Sequence, residues 1–157
     1  IKDYQDIIYK LREVRSDICF SSDFIVGFPG ETEADFKETL RLCENIEFSQ
    51  AYSFNYSSRP GTTASSREEV EETKKKERLF RLQNLLETKQ NAFLSKQVGK
   101  TVKVLFEKKG KDPNEYIGRS DYFYPVSVQS KDEIIGKIRN VKVELCLKHS
   151  VKGSLLG

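Results

Sequence analysis

The sequence predicts two architectures in series: an α/β segment over residues 1–97 and a small all-β barrel over residues 98–157. Three observations lead there. Helical and strand periodicities alternate with short links through the first segment, the rhythm of a parallel sheet or barrel. From Val98 the period falls to two, and five short strand candidates crowd into the remaining 60 residues. Charge changes at the same place, from a net of −2 over residues 1–97 to +5 over residues 98–157.

The elements follow in order. Residues 3–15 read as a helix, with Tyr4, Ile7, Ile8 and Leu11 on one face. Ile18 to Val26 reads as a strand whose apolar core is Phe24-Ile25-Val26. Gly27, Pro29 and Gly30 then build a turn with little side-chain bulk, which suits close approach of a flat ligand to the main chain. Thr32 to Asp35 resembles a capping box, with Asp in place of the usual Glu or Gln. Phe36, Leu40, Cys43 and Ile46 continue as a helix face, and Glu31, Glu33 and Asp35 sit favourably at its positive end. Ala51 to Ser57 is a second strand. Its Tyr52, Phe54 and Tyr56 are expected to pack, leaving Ser53, Asn55 and Ser57 as a polar face that is either near a ligand or simply half exposed.

Arg59-Pro60-Gly61-Thr62 closes that strand with a turn, and Thr62 to Ser66 is a loop. Ser66 to Glu69 forms a second capping box that should open a long helix reaching about Gln97. Leu79, Leu82, Leu86 and Phe93 give this helix an apolar stripe, and about 30 residues would span roughly 45 Å. The period-two strands are Thr101 to Phe106, Tyr116 to Arg119, Pro125 to Gln129, Val141 to Leu147 and Gly153 to Leu156.

Composition removes several classes of function. Hydrophobic residues make up 37% and charged residues 32%, and no apolar run approaches the ~20 residues a membrane span needs. With no signal-peptide pattern, a cytoplasmic location is expected. Cys19, Cys43 and Cys146 fit no metal or redox spacing and read as small hydrophobes. The chain contains no methionine and opens on Ile1, so it is expected to be a piece of a longer protein. An open sheet edge in such a piece would invite self-association.

Two regions carry candidate chemistry. Gly27-Phe28-Pro29-Gly30-Glu31 is neither a Walker loop nor GxGxxG, so alone it is either a ligand turn or simply a well-made turn. In the basic segment Lys100, Lys103, Lys108, Lys109, Lys111 and Arg119 are interleaved with Tyr116, Tyr122, Phe123 and Tyr124. Cations on a small barrel with aromatic neighbours suit nucleic acid. A solvated face over an aromatic core would produce the same pattern. His149, the one histidine, has no nucleophile or ligand partner at a telling spacing.

Ser22 to Phe36, centred on Asp23-Phe24-Ile25-Val26-Gly27-Phe28-Pro29-Gly30-Glu31-Thr32, resembles a late strand and turn of the radical S-adenosylmethionine methylthiotransferases. Tyr56-Ser57-Ser58-Arg59-Pro60-Gly61-Thr62 is similar to the next strand end of that family. Val98 to Glu107 is similar to the opening of its TRAM domain. Lys111-Asp112-Pro113 with Gly118-Arg119-Ser120 leans toward the branch that adds a methylthio group to isopentenylated adenosine beside the tRNA anticodon. The resemblance covers nearly the whole chain.

It implies a fold: the C-terminal part of a radical-SAM α/β partial barrel, then a five-stranded antiparallel, OB-like TRAM barrel. It implies S-adenosylmethionine and iron–sulfur clusters as cofactors of the full-length enzyme. The C-x3-C-x2-C cluster loop is missing here, so an upstream half of the enzyme would hold the clusters, and this piece alone would bind no cofactor and be inactive. By position, Ile25 and Gly27 would border the adenine, Gly30 and Glu31 would shape the pocket, and Tyr56 and Arg59 would lie near its mouth. Lys100, Lys103, Lys108, Lys109, Arg119 and Tyr122 would hold the tRNA anticodon stem-loop. Three alternatives stay open: an RNA-binding module on a non-catalytic α/β scaffold, a ribosomal-protein methylthiotransferase, and an unrelated parallel-barrel metabolic enzyme.

Overall fold

The computed structural model describes residues 2–157 and divides into two compact units, one through Lys89 and one from Gln90 to Gly157. The first unit alternates helix and strand: α1 (Lys2–Val14), β1 (Phe20–Val26), α2 (Glu33–Asn45) and β2 (Phe48–Asn55), then a 3-10 turn over Thr63–Ser66. The division falls inside α3 (Glu72–Ser95). The second unit holds β3 (Thr101–Lys109), β4 (Glu115–Ser120), β5 (Pro125–Gln129), β6 (Ile138–Cys146) and β7 (Val151–Leu155). Among the described residues no helix is long and apolar enough to cross a membrane.

In the first unit β1 and β2 pair in parallel, with Phe24 opposite Ser53, Ile25 opposite Phe54 and Val26 opposite Asn55. Phe24 and Val26 enter a core with Ile8 of α1, Phe36 and Cys43 of α2, and Leu82 and Leu86 of α3. This fixes the face of β2 as well, because register ties the faces of paired strands together. Ser53 and Asn55 therefore share the helix-covered side. Tyr52, Phe54 and Ile25 stand on the open side, each about half exposed. The expectation that the aromatic residues of β2 pack inward is thus reversed: the larger apolar side chains of β1 claim the helices.

α2 begins as its sequence indicates. Thr32 Oγ1 accepts from the Asp35 amide at 3.2 Å, and the Asp35 carboxylate accepts from the Thr32 amide at 2.9 Å, closing the capping box. The second expected box does not form. Ser66 Oγ donates to the Thr63 carbonyl at 2.9 Å, and Thr62 caps the 3-10 turn instead. The serine is committed to the turn, so α3 starts at Glu72 and runs 24 residues.

The second unit is a closed barrel in the order β3-β4-β5-β7-β6. Alternation in β3 places Val102, Val104 and Phe106 inside with Lys103 and Leu105 outside. Four neighbouring pairs are antiparallel, but β5 and β7 are parallel, with Val126 opposite Val151. The barrel is therefore mixed rather than purely antiparallel. Direction must alternate around an antiparallel ring, and an odd number of strands cannot alternate all the way round. Phe93, from the last turns of α3, meets Tyr124 edge-on with ring centroids 6.0 Å apart.

Candidate functional site

The carboxyl ends of β1 and β2 open onto a cavity of about 570 Å³, within the range of small-molecule sites. Ile25, Phe28 and Phe54 supply apolar wall, and Asn55, Tyr56 and Arg59 add polar groups. The Phe28 and Tyr56 rings meet edge to face at 5.1 Å. Asn55 Oδ1 and Tyr56 Oη are buried and have no hydrogen-bond partner in the structure. Two such atoms beside one apolar wall are costly unless something else completes them.

The turn behind this wall is held through its backbone. Gly27 has φ +72 and its amide donates to Glu31 Oε2 at 2.7 Å. The Glu31 amide donates to the Phe28 carbonyl at 2.8 Å, and Tyr56 N–H donates to the Val26 carbonyl at 2.8 Å. Arg78 of α3 donates through Nη1 to Glu31 Oε2 at 2.7 Å and to the Glu31 carbonyl at 3.0 Å. The buried Lys75 stem lies over Gly27, while its Nζ pairs with Glu69 at 2.8 Å and Glu72 at 3.3 Å. The Glu69 carboxylate holds the Lys75 pKa above its ordinary value.

Of the residues singled out from sequence, Ile25, Tyr56 and Arg59 line the cavity. Gly27 and Glu31 form the turn behind it, and Gly30, with φ +88, sits at the outer corner with open space around it. Asn55 and Ser57, expected on the polar face of β2, also line the cavity, while Phe28 and Phe54 are cavity residues that sequence reasoning missed as ligand contacts. Phe28 had a signal, since it sits inside the turn between Gly27 and Pro29. Arg78 and Lys75 had none, because nothing in a helical run of mixed charge marks which cation reaches back to a distant turn.

The barrel carries a second site. Lys103 projects outward from β3 opposite Asn140 of β6, and Leu105 lies opposite Ile138. Lys103, Ile138, Arg139, Asn140 and Leu156 border a groove of about 620 Å³. Among the described residues neither Lys103 nor Arg139 is ion-paired. The other candidates are spread out. Lys109 pairs with Glu133 at 3.3 Å, Arg119 with Glu107 at 3.5 Å, and Lys100 Nζ donates to Gln97 Oε1 at 3.3 Å. Lys108 is exposed and Tyr122 half-buried.

Tyr116 and Tyr124 belong to the barrel core. The exposed ring is Phe123, 65% accessible and held at φ 66. A bulky residue in the left-handed region is unusual enough to suggest a role. Its hairpin is tied beside Lys103, whose carbonyl accepts from the Asp121 amide at 3.1 Å. A cation on β3 and an open ring in the β4–β5 turn suit contacts with a phosphate and a base.

Among the described residues no three His, Cys, Asp or Glu side chains converge to hold a metal ion. Cys43 is fully buried, and burial pushes its thiol pKa up to about 12. A thiol in that state is a poor source of the thiolate a cluster requires.

Residues 95–156 match the TRAM domain family. Across 155 residues, 97% of its length, the chain is 49% identical to the tRNA-2-methylthio-N(6)-dimethylallyladenosine synthase of Wolbachia pipientis wMel. It is 47% identical over 158 residues, 99% of the chain, to the enzyme of the same name from Wolbachia pipientis subsp. Culex pipiens strain wPip. It is 46% identical over 155 residues, 98% of the chain, to that of Jannaschia sp. strain CCS1. The chain spans about a third of the length of these curated relatives, 35%, 35% and 34% in turn.

Proposed function

We propose, from the TRAM match and the likeness to tRNA-2-methylthio-N(6)-dimethylallyladenosine synthases, that this chain is the TRAM-bearing segment of a tRNA methylthiotransferase with a division of labour between its two units. The first unit walls the S-adenosylmethionine site of a radical enzyme. The second holds the anticodon stem-loop of a tRNA whose isopentenylated adenosine receives a methylthio group.

The cavity at the ends of β1 and β2 fits the cofactor. Its apolar wall of Ile25, Phe28 and Phe54 suits an adenine plane, and Asn55 and Tyr56 add polar residues to the same lining. Arg59 lines the same cavity and suits the carboxylate of the methionine end. Bound there, S-adenosylmethionine supplies the radical and methyl chemistry. This chain's residues bind and orient it. The iron–sulfur clusters do not fit the residues present, since among the described residues no set of donors converges and Cys43 is held as a buried thiol. An upstream half of the enzyme would supply the clusters and cover the open face of β1 and β2.

The observation that carries this reading is the cavity at the carboxyl ends of β1 and β2, where Ile25, Phe28, Phe54, Asn55, Tyr56 and Arg59 converge. The test is mass spectrometry of tRNA from cells lacking the gene, complemented with wild-type or with a combined Asn55→Ala and Tyr56→Phe variant. Deletion should leave isopentenylated adenosine without its methylthio group, and the double variant should restore little of it. Unchanged methylthiolation in the deletion strain would reject the tRNA substrate, and full rescue by the variant would reject the cavity.

A further inference from the structure

The contact between Arg78 and Glu31 joins two elements that lie 47 residues apart in sequence. Their side chains are 7% and 10% exposed, so both charges have given up most of their water. A buried pair of this kind rarely adds net stability over an apolar pair, and a register or positioning role is its better-attested use. Here the partners have a specific object. Glu31 Oε2 receives the Gly27 amide at 2.7 Å and the Arg78 guanidinium at 2.7 Å, so one carboxylate oxygen ties the turn to the helix. Arg78 holds Glu31 a second time through its carbonyl at 3.0 Å. The guanidinium is itself seated, 5.6 Å above the Phe36 ring and 3.6 Å from Glu33 Oε2.

The residue carried by this turn is Phe28. It lies between the two tethered points, Gly27 and Glu31, and its ring abuts Tyr56 on the cavity wall. Neither Arg78 nor Glu31 lines the cavity, so they can act on a ligand only through the turn. We infer that Arg78 and Glu31 are a positioning pair: α3 clamps the Gly27–Glu31 turn through them, and the clamp sets Phe28 against Tyr56 in the geometry that receives the ligand. Its consequence for S-adenosylmethionine rests on the cavity assignment proposed above. The placement of Phe28 does not.

Breaking one partner would strand a buried charge and could unfold the unit. The informative variant therefore combines Arg78→Met with Glu31→Gln. It removes both charges at similar volume, and the new side-chain amide keeps an oxygen for the Gly27 N–H. In the isotope-labelled chain, the Gly27 amide should exchange about tenfold faster than in wild type, and the nuclear Overhauser contacts between Phe28 and Tyr56 should fade. Core amides at Val26 and Phe36 should keep their protection. Unchanged Gly27 exchange together with undiminished Phe28–Tyr56 contacts would overturn the inference.

A second arm uses the full-length enzyme and S-adenosylhomocysteine in a calorimeter. The double variant should bind about tenfold more weakly, since small misplacements of a wall are expensive. Arg78→Lys, which keeps the charge and loses the fork, should recover part of the affinity. A displaced Phe28 with unchanged affinity would uphold the clamp and reject the cavity as the cofactor site, so failures of the two claims are distinguishable.

Discussion

The Lys75 side chain lies across Gly27 so closely that a Cβ on the glycine would stand 2.3 Å from Lys75 Cγ. Space and backbone therefore agree at this position, because Gly27 also has φ +72. Gly27→Ala should cost about 1–3 kcal/mol of stability in chemical denaturation, from left-handed strain and displacement of a buried stem. Gly30→Ala is the control. Its φ is +88 but nothing lies within 4 Å, so only the conformational part should remain, about 1 kcal/mol.

The barrel contains two glycines of another kind. A Cβ on Gly118 would meet the Leu105 carbonyl oxygen at 2.3 Å, and one on Gly153 would meet that of Lys142 at 2.2 Å. Both obstacles are backbone of a neighbouring strand. Gly118→Ala and Gly153→Ala should each destabilise the barrel by about 1–3 kcal/mol or more, since a strand and not a rotamer must move. Hydrogen exchange should report the loss in residues 101–155 while the core of the first unit keeps its protection.

Stability should fall in acid. The Thr32 hydroxyl and amide hold the Asp35 carboxyl below its ordinary range, Arg81 does the same for Glu33, and the Ile135 amide for Glu133. A carboxyl depressed in the folded state contributes stability above its unfolded pKa and loses it as pH falls through the folded value. The melting temperature should therefore hold above the ordinary carboxylate range and decline as pH falls through and below it, with Thr32→Ala removing part of that dependence. Lys75 has the opposite sign. Its raised pKa means its contribution is complete below the ordinary lysine value and fades as pH climbs past it.

RNA binding by the barrel should depend on salt in proportion to the phosphates it neutralises. About four contacts predict a slope of log K against log salt of about −3 to −4. Lys103→Ala should reduce the slope by about one. Lys109→Ala should change it less, because Glu133 already offsets that charge at 3.3 Å. A slope near zero in electrophoretic titration would remove electrostatics from the interaction.

What the sequence made legible was whatever depends on neighbours along the chain. Alternation in β3 identified its inner and outer residues, and the Thr32 box marked the start of α2. Local logic failed where one group had two local offers. Ser66 could cap a helix or close a turn, and the turn was nearer. It failed again where long-range competition decided, as when Phe24 and Val26 took the helices and left Tyr52 and Phe54 outside. For the cavity, Ile25, Tyr56 and Arg59 are placed by position through the family resemblance, but Arg78 becomes visible only once α3 lies against the Glu31 turn.

An odd-stranded ring has a consequence for how the barrel assembles. Its parallel seam joins β5 to β7, and β7 also completes β6, so two of the five junctions depend on the last strand in chain order. Hairpin zipping can lay down β3, β4 and β5, but it leaves an unclasped ribbon with raw edges. Closure needs pairings between strands distant in sequence, β3 with β6 and β5 with β7, and residues 151–155 are the hook that fastens the second of these. Shortening the hook would trade a sealed cylinder for a sheet ready to pair with its neighbours.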